Sequence, residues 1–353
     1  MADLVNALAE RGHQVYVALA PRSPLREALP ALPEKNIFTV RLRNALDLGS
    51  ALALARLMRK HQIEIAHAHM ARDYPLASLA ARRAGNAQFV ITRHVLFPLH
   101  QLHRITLSRV ARVIAVSEAV ARALSAQAIF PARKISVVTN GVNTRRFDAS
   151  ENAFSRETFR RRASVEPEER LVGMLGEIKP LKGQEEFLRA AARIARRVAD
   201  ARFIIAGCDT SPTGAHRARI ERLITELDLG GRAHLTGWLD DVAPLLASLD
   251  IFVSASHTES FGLTIVEAMA SGVAVVATAT EGAREIIEDG VTGVLVPVGD
   301  VEALASVIVS LLEDAPGRRR IGARAREAAR ERFSLDRMVD ATERIYREAL
   351  SAQ

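Results

Sequence analysis

The run Glu259-Ser260-Phe261-Gly262-Leu263-Thr264-Ile265-Val266-Glu267 sets two carboxylates on either side of a glycine. It follows an apolar run, Ile251–Ser254, that reads as a strand, and it leads into Val266–Ala270, which reads as a helix. A glycine at such a junction lets backbone approach a ligand closely, and the free N–H groups of a helix start suit a phosphate. Glu259 falls in the loop and Glu267 inside the helix, and each carboxylate can accept hydrogen bonds from ligand hydroxyls. The plainer reading is a helix with a favourable acid near its N-terminus and one solvated glutamate.

A second run, Gly176-Glu177-Ile178-Lys179-Pro180-Leu181-Lys182-Gly183, also ends a strand and precedes a helix. Two glycines bracket a turn, and Lys182 stands where an ammonium can meet an anion. The Gly-Lys-Ser/Thr order of a Walker A loop is absent. By itself this segment is a weak signal, because Lys-Gly is common in strand-to-helix turns.

Three histidines lie at strand ends. Thr92-Arg93-His94 closes one strand, and an imidazole there can orient a reacting hydroxyl. His67-Ala68-His69 closes another, and alternation puts both rings on one face. Two histidines without partner cysteines are too few for a metal site. Packing is the expected role for His67 and a structural role at the site's edge for His69. The stretch Arg93–Arg112 mixes Phe97, Leu99, Leu102, Ile105, Leu107 and Val110 with His100, His103, Arg104 and Arg109. It fits either a core-packed helix with a basic outer face or a basic amphipathic segment on an anionic membrane surface. Cys208 has no neighbouring histidine and reads as buried or incidental.

The elements that must position these residues form a regular series. Strands are predicted at Gln14–Ala20, Asn36–Leu42, Ile63–His69, Gln88–Arg93, Arg112–Val116 and Lys134–Thr139. A second set follows at Leu171–Gly176, Arg202–Ala206, Ala233–Thr236, Ile251–Ser254, Ala274–Ala277 and Gly293–Pro297. Stretches of helical spacing, such as Leu48–Lys60, Pro75–Ala84 and Gln184–Val198, lie between them. Short continuous apolar strands alternating with helices imply parallel sheets covered on both faces. The expected architecture is α/β, with two doubly wound Rossmann-like domains facing a cleft. Ligands sit beyond the carboxyl ends of strands in such sheets. The segment Asn140–Ala149 loses periodicity after the turn at Asn140-Gly141, so the domains are set at 1–145 and 146–334. A last helix, Leu335–Leu350, within 335–353, is expected to pack back on the first domain.

The chain has 353 residues, of which 48% are hydrophobic and 25% charged, as in ordinary globular proteins of two domains. No apolar run approaches the roughly 20 residues of a membrane span, and the start carries no signal-peptide pattern. One cysteine excludes an intramolecular disulfide and fits a cytoplasmic location, with peripheral attachment to the membrane's inner face as an extension of it. The charge is divided: residues 1–150 hold 21 Lys+Arg against 9 Asp+Glu, and 151–353 hold 27 against 32. An anionic partner is therefore expected for the first half, either a membrane surface, a phosphorylated acceptor or nucleic acid. No zinc-finger spacing or RNP-like motif supports nucleic acid, and no Gly-x-Gly-x-x-Gly after a strand supports a dinucleotide-dependent dehydrogenase.

The spacing from Glu259 to Glu267, with Ser-Phe-Gly-Leu inside it, resembles the E-x7-E motif of glycosyltransferase family 4. So does the continuation Glu267-Ala268-Met269-Ala270-Ser271-Gly272-Val273-Ala274-Val275-Val276-Ala277-Thr278. Asn140-Gly141-Val142 is similar to that family's hinge, and Gly290-Val291-Thr292-Gly293-Val294-Leu295-Val296-Pro297 to a later motif. The resemblance implies the GT-B fold and a retaining transferase that uses a nucleotide-diphosphate sugar and needs no metal or other cofactor. It implies that Lys182 holds the diphosphate, together with Gly176 and the segment Phe261, Gly262, Leu263 and Thr264. By the same likeness Glu267 binds ribose hydroxyls, Glu259 the donor sugar, and His94 the reacting region. The acceptor class stays open among lipid, glycan and small molecule. Glu177 stands where many members carry an arginine, and its carboxylate is expected to point away from the diphosphate. Met1–Arg11 reads as the family's first helix, so the family's opening strand and glycine-rich loop are expected to be absent from this sequence. That expectation leaves a second reading, a non-catalytic or impaired nucleotide-sugar-binding subunit.

Overall fold

The computed structural model describes residues 1–41, 47–148 and 153–351. Leu42, Ala149 and the last two residues, which the readings above include in a strand, the boundary segment and the terminal domain, lie outside the described residues. The chain packs as two units, Met1–Gly141 with Leu335–Gln353, and Val142–Ser334.

The first unit contains β1 (Val17–Leu19), β2 (Ile37–Thr39), β3 (Ile65–Ala68), β4 (Gln88–Arg93), β5 (Arg112–Ala115) and β6 (Ile135–Val137). The second contains β7 (Arg170–Leu175), β8 (Ala201–Ala206), β9 (Ala233–Gly237), β10 (Ile251–Ser254), β11 (Ala274–Thr278) and β12 (Val294–Val296). All pairings between these strands are parallel. The reason is visible in the strands themselves. Every residue of β10 and of β11 is buried, so both faces need cover, and crossover helices supply it.

The second unit is one six-stranded sheet in the order β12-β11-β10-β7-β8-β9. Its core gathers Val172, Phe187, Phe203, Ile251, Val253 and Ile308, with Phe187 and Phe203 edge to face at 6.2 Å. The helix Gln184–Arg197 buries Phe187, Leu188, Ala191 and Ile194 on one side, the spacing of a helix face. Asp300 caps the helix Val301–Glu313 by accepting from Ala303 N, and Asp314 caps Ala315–Arg332 by accepting from Gly317 N.

The first unit departs from a single sheet. Its strands form two parallel sheets, β1-β2 and β3-β4-β5-β6. The free edges of β1 and β3 pair with no strand among the described residues. The opening helix, Ala2–Glu10, buries Leu4, Ala7 and Leu8 against Val339 of the helix Leu335–Ser351. The same long helix contributes Ile345 and Ala349 to a core with Val90, Ile114 and Val138. Ion pairs from Arg11 to Asp336, Asp340 and Glu343 flank that packing.

The boundary between units lies earlier than the turn chemistry places it, between Gly141 and Val142 rather than after residue 145. Val142 N donates to Phe333 O and bridges to Ser334, which commits it to the second unit. The segment that loses periodicity is partly ordered as a 3-10 helix, Thr144–Phe147, with Phe147 buried.

Candidate functional site

The strand order of the second unit creates a site by topology. The chain runs outward from β7 to β8 and β9, then returns to place β10 on β7's other side. In sheets of this kind such a switch point is where a ligand is expected, beyond the carboxyl ends of the two neighbouring strands. Both sequence runs singled out above emerge there.

The turn after β7 closes onto the loop after β10. His257 N donates to Leu181 O at 2.9 Å. Gly183 sits at φ 70°, and a Cβ on it would lie 2.0 Å from Ala255 O, so only glycine allows this approach. The approach brings Lys182 Nζ to 2.7 Å from Glu259 Oε2, a charge-assisted hydrogen bond between side chains 24% and 16% exposed. The separate runs are thus joined by one ion pair.

Gly262, at φ 112°, caps the helix Leu263–Ala270 with no side-chain hydrogen bond. Its carbonyl accepts from Ile265 and Val266. The amides of Leu263 and Thr264 open the helix, where donors lack an intrahelical acceptor, and a Cβ on Gly262 would lie 3.4 Å from Glu259 Cγ. Leu263 is exposed and Thr264 half-buried. The Phe261 side chain is buried and lies edge to face with Phe333 at 5.8 Å, so this residue offers the site its backbone, not its ring. The helix starts at Leu263, earlier than the apolar pattern from Val266 suggests, and Glu267 lies half-buried within it. Gly176 ends β7, with its amide donating to Ala206 O at 2.9 Å.

Glu177 is held by its neighbours. Lys179 Nζ donates to it at 2.5 Å, and Thr210 Oγ1 donates to its other oxygen. Hydrogen bonds from Lys179 and Thr210 keep this carboxyl below the usual carboxylate range. Its charge is therefore partly balanced locally, by a lysine two residues on and by a threonine whose distance along the chain gave no sign of the partnership. Cys208 is half-buried in the following loop, where its carbonyl accepts from Ile178 N.

In the first unit the three histidines do converge. The rings of His67 and His69 are 4.2 Å apart, on one face of β3 and just beyond it. His69 Nδ1 and His94 Nε2 are hydrogen-bonded at 3.1 Å. His67 is braced by Tyr346 Oη at 2.6 Å and Thr92 Oγ1 at 2.7 Å. Burial pushes His94 down to about 4 and His67 to about 3, and His69 well below its ordinary value. All three are neutral at pH 7. Tyr346 is a partner that strand spacing cannot find, since it lies in the last helix. Among the described residues no three His, Cys, Asp or Glu side chains converge as metal ligands.

The stretch Arg93–Arg112 is not the core-packed helix offered as one reading. Only His103–Thr106 is helical, because Leu99, Leu107 and Val110 anchor it at irregular spacing. Phe97, Leu102 and Ile105 are exposed. No helix among the described residues is long and apolar enough to cross a membrane.

Comparison with known proteins bears on the family and the fold. The family model "Glycosyl transferases group 1" matches residues 155–328, and "Glycosyltransferase Family 4" matches 1–146. N-acetyl-alpha-D-glucosaminyl L-malate synthase of Bacillus anthracis is 28% identical over 99% of this chain and 92% of its own. D-inositol 3-phosphate glycosyltransferase of Mycobacterium ulcerans is 35% identical over 62% of this chain, though that match spans only 46% of the relative. Among solved structures, a glycosyltransferase from Rickettsia africae ESF-5 superposes with a TM-score of 0.87 at 25% identity, covering 99% of this chain and 94% of that one. HepE of Anabaena, in complex with UDP and glucose, shares the fold with a TM-score of 0.86 at 23% identity, over 100% and 95% of the two chains. With two family models together spanning most of its length and a GT-B fold shared with a solved glycosyltransferase, the chain belongs to the group 1, family 4 glycosyltransferases.

Proposed function

We propose that the chain transfers a hexose from a nucleotide-diphosphate sugar to an acceptor hydroxyl, with retention of configuration at the anomeric carbon. The Lys182–Glu259 contact at the β7/β10 switch point carries this reading, because it sets a cation and a hydroxyl acceptor beside a helix start. In the reaction the anomeric C–O bond breaks and its electron pair stays on the diphosphate oxygen. The acceptor oxygen forms the new bond, and its proton passes to the departing diphosphate. Negative charge grows on that group, and donors fixed in advance stabilise it without reorganising. Lys182, the turn at Gly176 and the amides from Phe261 to Thr264 fill that role, so no metal is required. Glu267 accepts from the ribose hydroxyls and Glu259 from the donor sugar. His94, in the first unit, offers a neutral hydrogen-bonding group. HepE's complexes with UDP and UDP-glucose support a nucleotide-sugar donor.

The acceptor is a lipid, a glycan or a small molecule, and the basic first unit favours one that is anionic or membrane-borne. No Asp or Glu occurs between Asp73 and Glu118, while Phe97, Leu102 and Ile105 are exposed beside His100, Arg104 and Arg109. Such a surface suits peripheral attachment to an anionic bilayer on the cytoplasmic side.

Calorimetric titration of the purified chain with UDP, GDP and ADP, then with the matching nucleotide sugars, tests the donor site. Binding of a nucleotide supports it and names the donor for a transfer assay, in which NMR of the product's anomeric proton reads retention. A folded chain that binds none of them sinks the proposal.

A further inference from the structure

Trp238 is the chain's sole tryptophan and is 73% exposed, an unusual position for so large an apolar ring. Its place in the sheet explains the exposure. Leu175 of β7 is level with Ala206 of β8, and Ala206 is level with Gly237 of β9. The next residues, Gly176, Gly207 and Trp238, therefore stand side by side along the carboxyl rim. Gly176 N donates to Ala206 O and Gly207 N to Gly237 O, both at 2.9 Å, which continues the ladder beyond the strands. A Cβ on Gly207 would lie 1.9 Å from Gly176 O, so this position takes no side chain beside the β7 turn. The rim is bare backbone at Gly176 and Gly207, and from the β7 turn to the indole it spans two strand spacings, about 10 Å. Lys182 borders it at the β7 end and the indole at the β9 end. Asp240 Oδ1 accepts from Trp238 Nε1 at 3.0 Å, which fixes the ring's orientation and leaves its face open.

We propose that Trp238 is the platform on which the donor's nucleobase stacks. The inference rests on the donor-site reading above and extends it to the part of the ligand that Lys182 does not touch. A nucleoside whose diphosphate sits at Lys182 has about the reach needed to cross a rim of this width. The two glycines let the sugar-phosphate lie close to the backbone there. A flat indole stacks on any base, so the site accepts uracil, guanine and adenine through this contact and leaves discrimination to other groups.

Trp238 is its own reporter, and it can be changed without disturbing the core. UDP, GDP, ADP and inorganic pyrophosphate are titrated into the full chain, followed by tryptophan emission and by calorimetry. The titrations are repeated calorimetrically on Trp238→Ala and Trp238→Phe. The nucleotides that bind are expected to quench emission. Trp238→Ala is expected to weaken each of them by about 5- to 100-fold, the range for loss of one base–aromatic stack. Pyrophosphate affinity should stay unchanged, and Trp238→Phe should recover most of the loss. Nucleotide affinity unaffected by Trp238→Ala overturns the inference and leaves the diphosphate site standing. An equal loss for pyrophosphate also overturns it, since the ring would then act on the fold rather than on a base. If the parent chain binds neither nucleotide nor pyrophosphate, the donor-site reading fails and this inference with it.

Discussion

Replacing Glu259 by glutamine should tighten, not weaken, the binding of a free nucleoside diphosphate. In the unliganded chain the Lys182 ammonium is already spoken for, 2.7 Å from a carboxylate oxygen. An arriving diphosphate must share or displace that partner, and it meets the carboxylate's own negative charge. Opposite charges 4 Å apart attract by about 4 kcal/mol at an effective dielectric of ~20, and by ~1 kcal/mol in water. With the side chains 24% and 16% exposed, an intermediate value of about 1–2 kcal/mol is reasonable. The expected gain in affinity is therefore roughly 5- to 30-fold. Sugar transfer should fall at the same time, because the amide cannot accept as strongly from the donor sugar's hydroxyls. Calorimetry at physiological salt measures the first effect and a transfer assay the second. Lys182→Ala should weaken binding by about tenfold or more, and adding Glu259→Gln to it should restore less than the same change gains with Lys182 present. If Glu259→Gln weakens diphosphate binding, or gains as much with Lys182 absent as present, the ion pair does not govern the site.

Gly183→Ala should destabilise the second unit, since the new methyl would meet Ala255 O at a backbone that cannot yield, at a left-handed φ. A cost of about 2–4 kcal/mol lowers Tm by roughly 5–15 °C, and an unchanged melting curve would show that the turn relaxes. Acid should destabilise the first unit. His67, His69 and His94 are held neutral by burial below the ordinary value of 6.5, so the unfolded chain takes up protons that the folded chain refuses. Their contribution is thus intact above about pH 6.5 and declines as pH falls, by ~1.4 kcal/mol per unit for each histidine. Urea midpoints at pH 7, 6 and 5 test this, and His94→Asn should flatten the slope by one histidine's share. A slope that His94→Asn leaves alone would place the acid sensitivity elsewhere.

The strand series, the parallel architecture and the family were legible in the residues because each rests on local chemistry. Ile251–Ser254 reads as a strand to the residue because its continuous burial demands an apolar run, and Gln88–Arg93 does so through the apolar Phe89–Ile91 at its centre. The two glutamates, Lys182 and the glycines around them were singled out by type and spacing, and their roles by resemblance to a family. What spacing could not give was which of them touch. Lys182 and Glu259 are far apart in sequence, and they meet because β10 returns beside β7 and because Gly183 lets the loops close. The same holds for Tyr346 against His67, Thr210 against Glu177, and the alignment of Gly176, Gly207 and Trp238. The unit boundary moved for a related reason, as Val142 is claimed by hydrogen bonding to Phe333 across a long stretch of chain. Propensity and periodicity act over a few residues, whereas strand order and register act over the whole sheet. The sequence by itself determined the parts and their chemistry, and only the tertiary structure decided their partners.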